Sequence, residues 1–138
     1  MKEDKRNSLL FFIGLFLIIG LLAFMIIWDR KSIGRQIQRN TGYAIGTYQY
    51  VSGLPTKGGT YLFISFDAED KKFENITIKG KLTSYTKAQK GDLFLVIYDT
   101  LNPENCQILF DYPIKDSSDF SRYLEEFKTK PLDISKYF

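Results

Sequence analysis

Histidine is missing from all 138 residues, and cysteine and tryptophan occur once each. Without histidine the chain lacks the usual general base near neutral pH, the usual imidazole metal ligand and the usual pH switch. Cys106 has no second cysteine with which to close an internal disulfide, and a zinc site would have to be built from carboxylates, an uncommon donor set. Oxidising and reducing compartments are equally compatible with one thiol. No cofactor motif and no metal motif is present, so no cofactor is expected.

Positive charge is scarce where nucleic-acid binding would need it. In the first 39 residues Lys2, Lys5, Arg6, Arg30, Lys31, Arg35 and Arg39 face only Glu3, Asp4 and Asp29. The remaining residues carry twelve Lys/Arg against thirteen Asp/Glu, so the excess of +3 belongs to the N-terminal region. A basic stripe on the folded domain, the electrostatic footprint of nucleic-acid recognition, is not expected. The expected partner of the basic residues is a lipid bilayer, whose anionic headgroups attract them at about 1 kcal/mol each.

What the chain does have is one long apolar run. Leu9 to Trp28 is twenty residues without a charge or a proline. As a helix it spans about 30 Å, the thickness of the hydrocarbon core. A signal peptide would carry a shorter apolar core and a small-x-small cleavage site, and Leu22-Ala23-Phe24 running on into Met25 offers none. No cysteine ends the run, which speaks against lipoprotein processing. An uncleaved anchor is therefore expected, with a basic tail over residues 1–7, a span over 8–28 and a basic juxtamembrane stalk over 29–41. Trp28, Arg30, Lys31, Arg35 and Arg39 are the candidate membrane-interface residues, an aromatic ring at headgroup level followed by cations. Lys31, Arg35 and Arg39 share a stripe, being four apart. Three Lys/Arg precede the span and four follow it; moving the basic tail and free amine across is the costlier arrangement, which places the N-terminus in the cytoplasm. Gly14 and Gly20, six apart, do not form the small-xxx-small pattern of close helix pairs.

Residues 42–138 predict one small domain, with strands followed by a helix. Tyr43 to Val51 alternates, placing Tyr43, Ile45, Thr47, Gln49 and Val51 on one face and Ala44, Gly46, Tyr48 and Tyr50 on the other. Ser52 to Gly59 is a loop without the Lys-Ser/Thr ending of a phosphate-binding turn. Thr60 to Phe66 and Phe73 to Leu82 form a hairpin about the polar Asp67–Lys72 segment. Lys90-Gly91-Asp92 is a turn leading into Leu93–Tyr98, a run apolar enough for a central strand buried on both faces. Asn102-Pro103 is a turn before a short strand over Cys106–Phe110. Phe120, Tyr123, Leu124 and Phe127 fall at i, i+3, i+4 and i+7, which predicts a helix over 117–129, capped by Asp116, Ser117 or Ser118 and stopped by Pro131. The fold class expected is an N-terminal transmembrane helix plus a small, mainly β (α+β) domain: an antiparallel sheet or partly open barrel of about five strands with a C-terminal amphipathic helix.

No catalytic residue stands out. Asp92, Asp99, Glu104 and Asp111 are close in sequence but sit at strand ends and in a loop, with no nucleophile or glycine cradle beside them. Asn75-Ile76-Thr77 matches the glycosylation acceptor pattern, which carries weight only in a secreted eukaryotic setting. Of the twelve aromatics between Tyr43 and Tyr112, Tyr85 among them, some must point away from the core on alternating strands, and exposed tyrosines suit contact with a protein or a carbohydrate.

Residues 90–110, KGDLFLVIYDTLNPENCQILF, resemble a motif of uncharacterised Bacteroidetes-type bacterial membrane proteins with a single span and a small β domain. There a lysine-glycine-aspartate turn leads into an apolar strand, a tyrosine-aspartate, an asparagine-proline-glutamate turn and a closing strand. In this chain Lys90, Gly91, Asp92, Asn102 and Pro103 would be the structural turn residues. The resemblance implies a bacterial inner-membrane protein and carries no catalytic residue. An interaction or accessory module beside the membrane is the function expected, and not an enzyme. The alternatives are an envelope hydrolase or transferase using carboxylates such as Asp99 and Glu104, and a small-ligand or lipid sensor with a cavity between sheet and helix.

Overall fold

A computed structural model describes residues 2–52, 61–78 and 88–138, the side chains of residues 2–6 and 52 excepted. The expected loop over residues 53–59, the continuation of the third strand over 79–82, and Tyr85 lie outside these residues. The chain divides into two compact units, residues 1–32 and residues 33–138.

Helix α1 covers Lys2–Arg39. Its membrane-length portion runs from Asn7, and its most apolar eighteen-residue window has a mean hydropathy of 3.1 with none of it buried. From Leu15 to Trp28 the large apolar side chains point outward all around the helix, as Phe16, Leu17 and Ile18 do on successive positions. A helix apolar on all sides is solvated by lipid or by protein and not by water.

The second unit opens on the last turns of α1. Ile33 and Ile37, one turn apart, are buried there. Residues 33–39 are thus part of the folded unit and not the simple stalk that the sequence suggests, because two β-branched side chains on one helical face gain about 1.5–3 kcal/mol each on burial. The helix ends at Arg39. Asn40 N–H donates to the Gln36 carbonyl, and the Thr41 hydroxyl donates to the Ile37 carbonyl at 2.7 Å, filling an acceptor that the helix leaves open.

Five strands follow: β1 (Thr41–Ser52), β2 (Tyr61–Ala68), β3 (Lys71–Thr77), β4 (Leu93–Asp99) and β5 (Asn102–Pro113). They form one sheet in the order β3-β2-β1-β4-β5, with every pair antiparallel. The outer strands β3 and β5 approach one another without pairing, so the sheet curls strongly and stays open. This is the α+β layout expected from the sequence.

Curling needs bulges, and the β1–β2 and β2–β3 ladders each carry one. Tyr48 pairs with Ile64 but Tyr50 with Phe63, which leaves Gln49 as an extra residue on β1. Ile64 pairs with Ile76 but Phe66 with Phe73, which leaves an extra residue on β3, where Asn75 adopts φ 53°. Each extra residue bends its strand and reverses the in-out alternation beyond it. Val51 therefore turns inward and Tyr50 outward, the opposite of plain alternation. Phe73 and Ile76, three apart, both reach the inner core for the same reason.

The inner face gathers Ala44, Tyr48, Leu62, Ile64, Phe66, Phe94, Val96, Tyr98, Ile108 and Phe110. Phe66 stacks on Phe73 at 5.3 Å between centroids and meets Tyr98 at 5.6 Å. Strand β1 contributes Gly42 and Gly46 to this face. A Cβ on Gly42 would lie 2.6 Å from Tyr98 Cε2, and one on Gly46 would collide with Val96, so the glycines leave the space that β4 fills.

On the outer face Leu95, Ile97 and Leu109 pack with Ile33, Ile37, Phe127 and Tyr137. Helix α2 (Ser117–Thr129) covers this side, as its apolar spacing predicts. Asp116 is its cap: the carboxylate accepts from Ser118 N–H at 2.6 Å, and Asp119 answers by accepting from Asp116 N–H. Tyr123 donates its phenol to the Pro113 carbonyl at 2.9 Å, tying α2 to the end of β5. A one-turn 3-10 helix (Ile134–Tyr137) then brings Tyr137 beneath the sheet, almost fully buried.

Candidate functional site

The predicted turn residues occupy two opposite ends of β4. Gln89 to Asp92 is a β-turn closed by Asp92 N–H to the Gln89 carbonyl, with Gly91 at φ 95°, a backbone conformation that an L side chain resists. The Asp92 carboxylate accepts from Gln89 N–H at 2.8 Å. Gly91 N–H donates to the Tyr48 carbonyl and Tyr48 N–H to the Asp92 carbonyl, which sets the register of β1 against β4. Lys90 is exposed on this turn.

Asn102-Pro103 does not form the other turn. The hairpin tip is Thr100-Leu101, closed two residues earlier because the Asp99 carboxylate accepts from Leu101 N–H at 3.0 Å. Asn102 pairs with Asp99 and begins β5, a strand running to Pro113 and not the short Cys106–Phe110 segment. Pro103 fits there because β5 is an edge strand, and residues 103–105 lie opposite no ladder partner. Leu101 at the tip is 80% exposed.

Of the candidate acids, Asp92 and Asp99 are engaged in turns and Asp111 in an ion pair. Asp92 and Asp99 stand at the two ends of β4, about 23 Å apart at roughly 3.3 Å per residue, well beyond the separation of a glycosidase carboxylate pair. Glu104 is exposed, whereas Asp99 is buried in its turn. Asp111 lies beside Lys136 Nζ and the Tyr137 phenol, at 3.5 and 3.4 Å. Among the described residues no three acids or cysteines gather as metal ligands.

Several ionisations follow from these contacts. Ser118 and Ser135 donate to Asp116 and Asp133, holding both carboxyls below the usual carboxylate range. The Tyr137 phenol, together with Asp111, raises Lys136, while burial raises Tyr137 itself. Burial likewise raises Tyr43 and Tyr98.

Within their own units, the candidate membrane-interface residues are all exposed: Trp28, Arg30 and Lys31 in the first, Arg35 and Arg39 in the second. Trp28 lies against Phe24 at 5.7 Å between centroids.

A further surface emerges only from the fold. Among the described residues the helices cover the outer face over β4, β5 and the Tyr43 end of β1, where Tyr43 meets Phe127 at 5.7 Å between centroids, and leave bare the part on β2 and the far end of β1. Tyr50 stacks on Phe63 at 4.7 Å with the planes 20° apart, and Tyr50 and Tyr61 are 45% and 53% exposed. Ile45 adds a partly exposed aliphatic side chain, and Gln49 donates to Ser65 at 2.7 Å beside the stacked rings. The sequence shows these aromatics, but plain alternation assigns Tyr50 to the other face, since a bulge leaves no mark in composition. No protein-family model, curated protein or solved structure matches the chain.

Proposed function

We propose that this is a single-pass protein of a bacterial inner membrane, anchored by Leu9–Trp28 with its N-terminus cytoplasmic, whose β unit is a docking module for a protein partner. The same reading groups it with the Bacteroidetes-type single-span proteins that its KGD, YD and NPE segments resemble. The observation that carries the docking role is the bare half-face bearing Tyr50, Phe63 and Tyr61. Stacked, rigid aromatics offer large contact area at low conformational cost, and such side chains are enriched at interface centres. The hydrolase alternative finds less support, since Asp99 is engaged in a turn while Glu104 faces solvent. The sensor alternative needs space between sheet and helix, where Ile37, Leu95, Ile97, Leu109 and Tyr137 are at most 1% exposed.

The test is co-purification from native membranes in mild detergent, comparing the wild type with Tyr50→Ser/Tyr61→Ser. A partner recovered with the wild type and lost from a variant of unchanged circular dichroism supports docking through this face. Equal recovery, or no partner in any growth condition, sinks it. Sidedness is read by protease: digestion of the β unit in intact spheroplasts is expected, and its protection would reverse the orientation.

A further inference from the structure

The end of α2, the end of β5 and the segment after the helix enclose a cleft of about 200 Å³. Its floor is apolar. Tyr112 meets the buried Phe127 edge-on at 5.2 Å, and Leu132 completes the surface. Its lining also holds two carboxylates, Glu126 and Asp133, and two ammonium groups, Lys130 and Lys136, all on exposed residues.

These charges differ in how firmly they are held. Asp133 accepts from the amide and hydroxyl of Ser135 at 3.0 and 2.6 Å, which fixes it in place and keeps it ionised. Lys136 Nζ lies over the Tyr137 ring at 4.9 Å and pairs with Asp111 at 3.5 Å, both side chains being about half exposed. Glu126 and Lys130 are one turn apart on the helix side, yet among the described residues neither is in an ion pair. The last carbonyls of α2 add partial negative charge, which favours a cation near Glu126.

We propose that this cleft binds a small zwitterion with an apolar side chain, a free α-amino acid. Its ammonium faces Glu126 and Asp133, its carboxylate faces Lys130 and Lys136, and its side chain lies on Tyr112 and Phe127. The volume supports this size class, being below the roughly 300–1,000 Å³ typical of sites for drug-sized ligands. The lining favours a molecule with both charges, because such a ligand can pair with carboxylates at one end and ammonium groups at the other, whereas a ligand with one charge pairs at one end only. The inference does not rest on the docking surface, which lies on β1 and β2.

The experiment uses the full chain in detergent micelles, titrated calorimetrically with L-leucine, N-acetyl-L-leucine and L-leucinamide. L-Leucine is expected to bind saturably, with each blocked analogue weaker by about tenfold or more, the loss expected when a charged hydrogen-bonding group is removed. Glu126→Gln and Lys130→Gln are expected to weaken L-leucine by a similar factor with unchanged melting. Lys128→Gln, on the same helix but outside the cleft, leaves binding intact. Absence of saturable binding, equal binding of the blocked analogues, or wild-type affinity in both cleft variants overturns the proposal.

Discussion

At the scale of single residues, the β2–β3 hairpin carries a cost that can be removed. Ala68 pairs with Lys71, so the loop is Glu69-Asp70, and both residues have positive φ, 51° and 63°. That is the backbone of a type I′ turn, which asparagine and glycine adopt most readily. Glu69→Asn/Asp70→Gly is therefore expected to stabilise the domain by about 1 kcal/mol, read as a raised midpoint in urea. The opposite is expected at Gly42, where any side chain meets the Tyr98 ring. Gly42→Val should cost about 1–3 kcal/mol in the same measurement, as overpacking a filled core does. Gly91 and its turn were legible in the sequence because positive φ leaves a compositional trace. Glu69 and Asp70 show that the trace can be absent, since only the pairing of their neighbours reveals their conformation.

At the scale of elements, legibility follows periodicity. Helix α2 occupies residues 117–129 as its apolar spacing dictates, and β4 is buried on both faces, as its unbroken apolar run requires. The bulges at Gln49 and near Asn75 were invisible because one inserted residue shifts register without altering composition, and the face of Tyr50 went astray with them. Asn102-Pro103 misled for a related reason: a side-chain contact at Asp99 closed the hairpin before the turn-forming pair was reached. The capping of α2 gives an acid test. Because the folded Asp116 carboxyl titrates below its ordinary value, its contribution is complete above about pH 4, the unfolded value, and fades as pH falls through the depressed folded one. Helical circular dichroism and amide protection over Ser117–Phe120 are expected to fall in that acidic window, and Asp116→Ala should show reduced protection there already at pH 7.

At the scale of the molecule, the second unit includes residues whose sequence reads as a tether. Ile33 and Ile37 cover Leu95, Ile97 and Leu109, and two such side chains are worth about 3–6 kcal/mol together, comparable to the roughly 5–15 kcal/mol net stability of a domain. A chain cut to residues 33–138 is expected to be folded and monomeric, whereas one cut to 41–138 should expose an apolar outer face and associate. Gel filtration and near-ultraviolet circular dichroism distinguish them; equal behaviour would mean that the helical turns add nothing. The long apolar helix was legible because twenty residues without a charge or a proline leave a plain signature. The half-face that the helices leave bare was not, because it depends on which strands they happen to cover.

Tyr137 closes the cluster around Ile37, and the Phe138 ring lies about 3.0 Å from where a Cβ on Gly34 would stand. Two stretches about a hundred positions apart in sequence therefore meet in one place. Leu95 and Ile97 stay uncovered until that pair of rings folds back against Ile33 and Ile37, so closure of the outer core waits on a contact of long sequence separation, formed late and slowly.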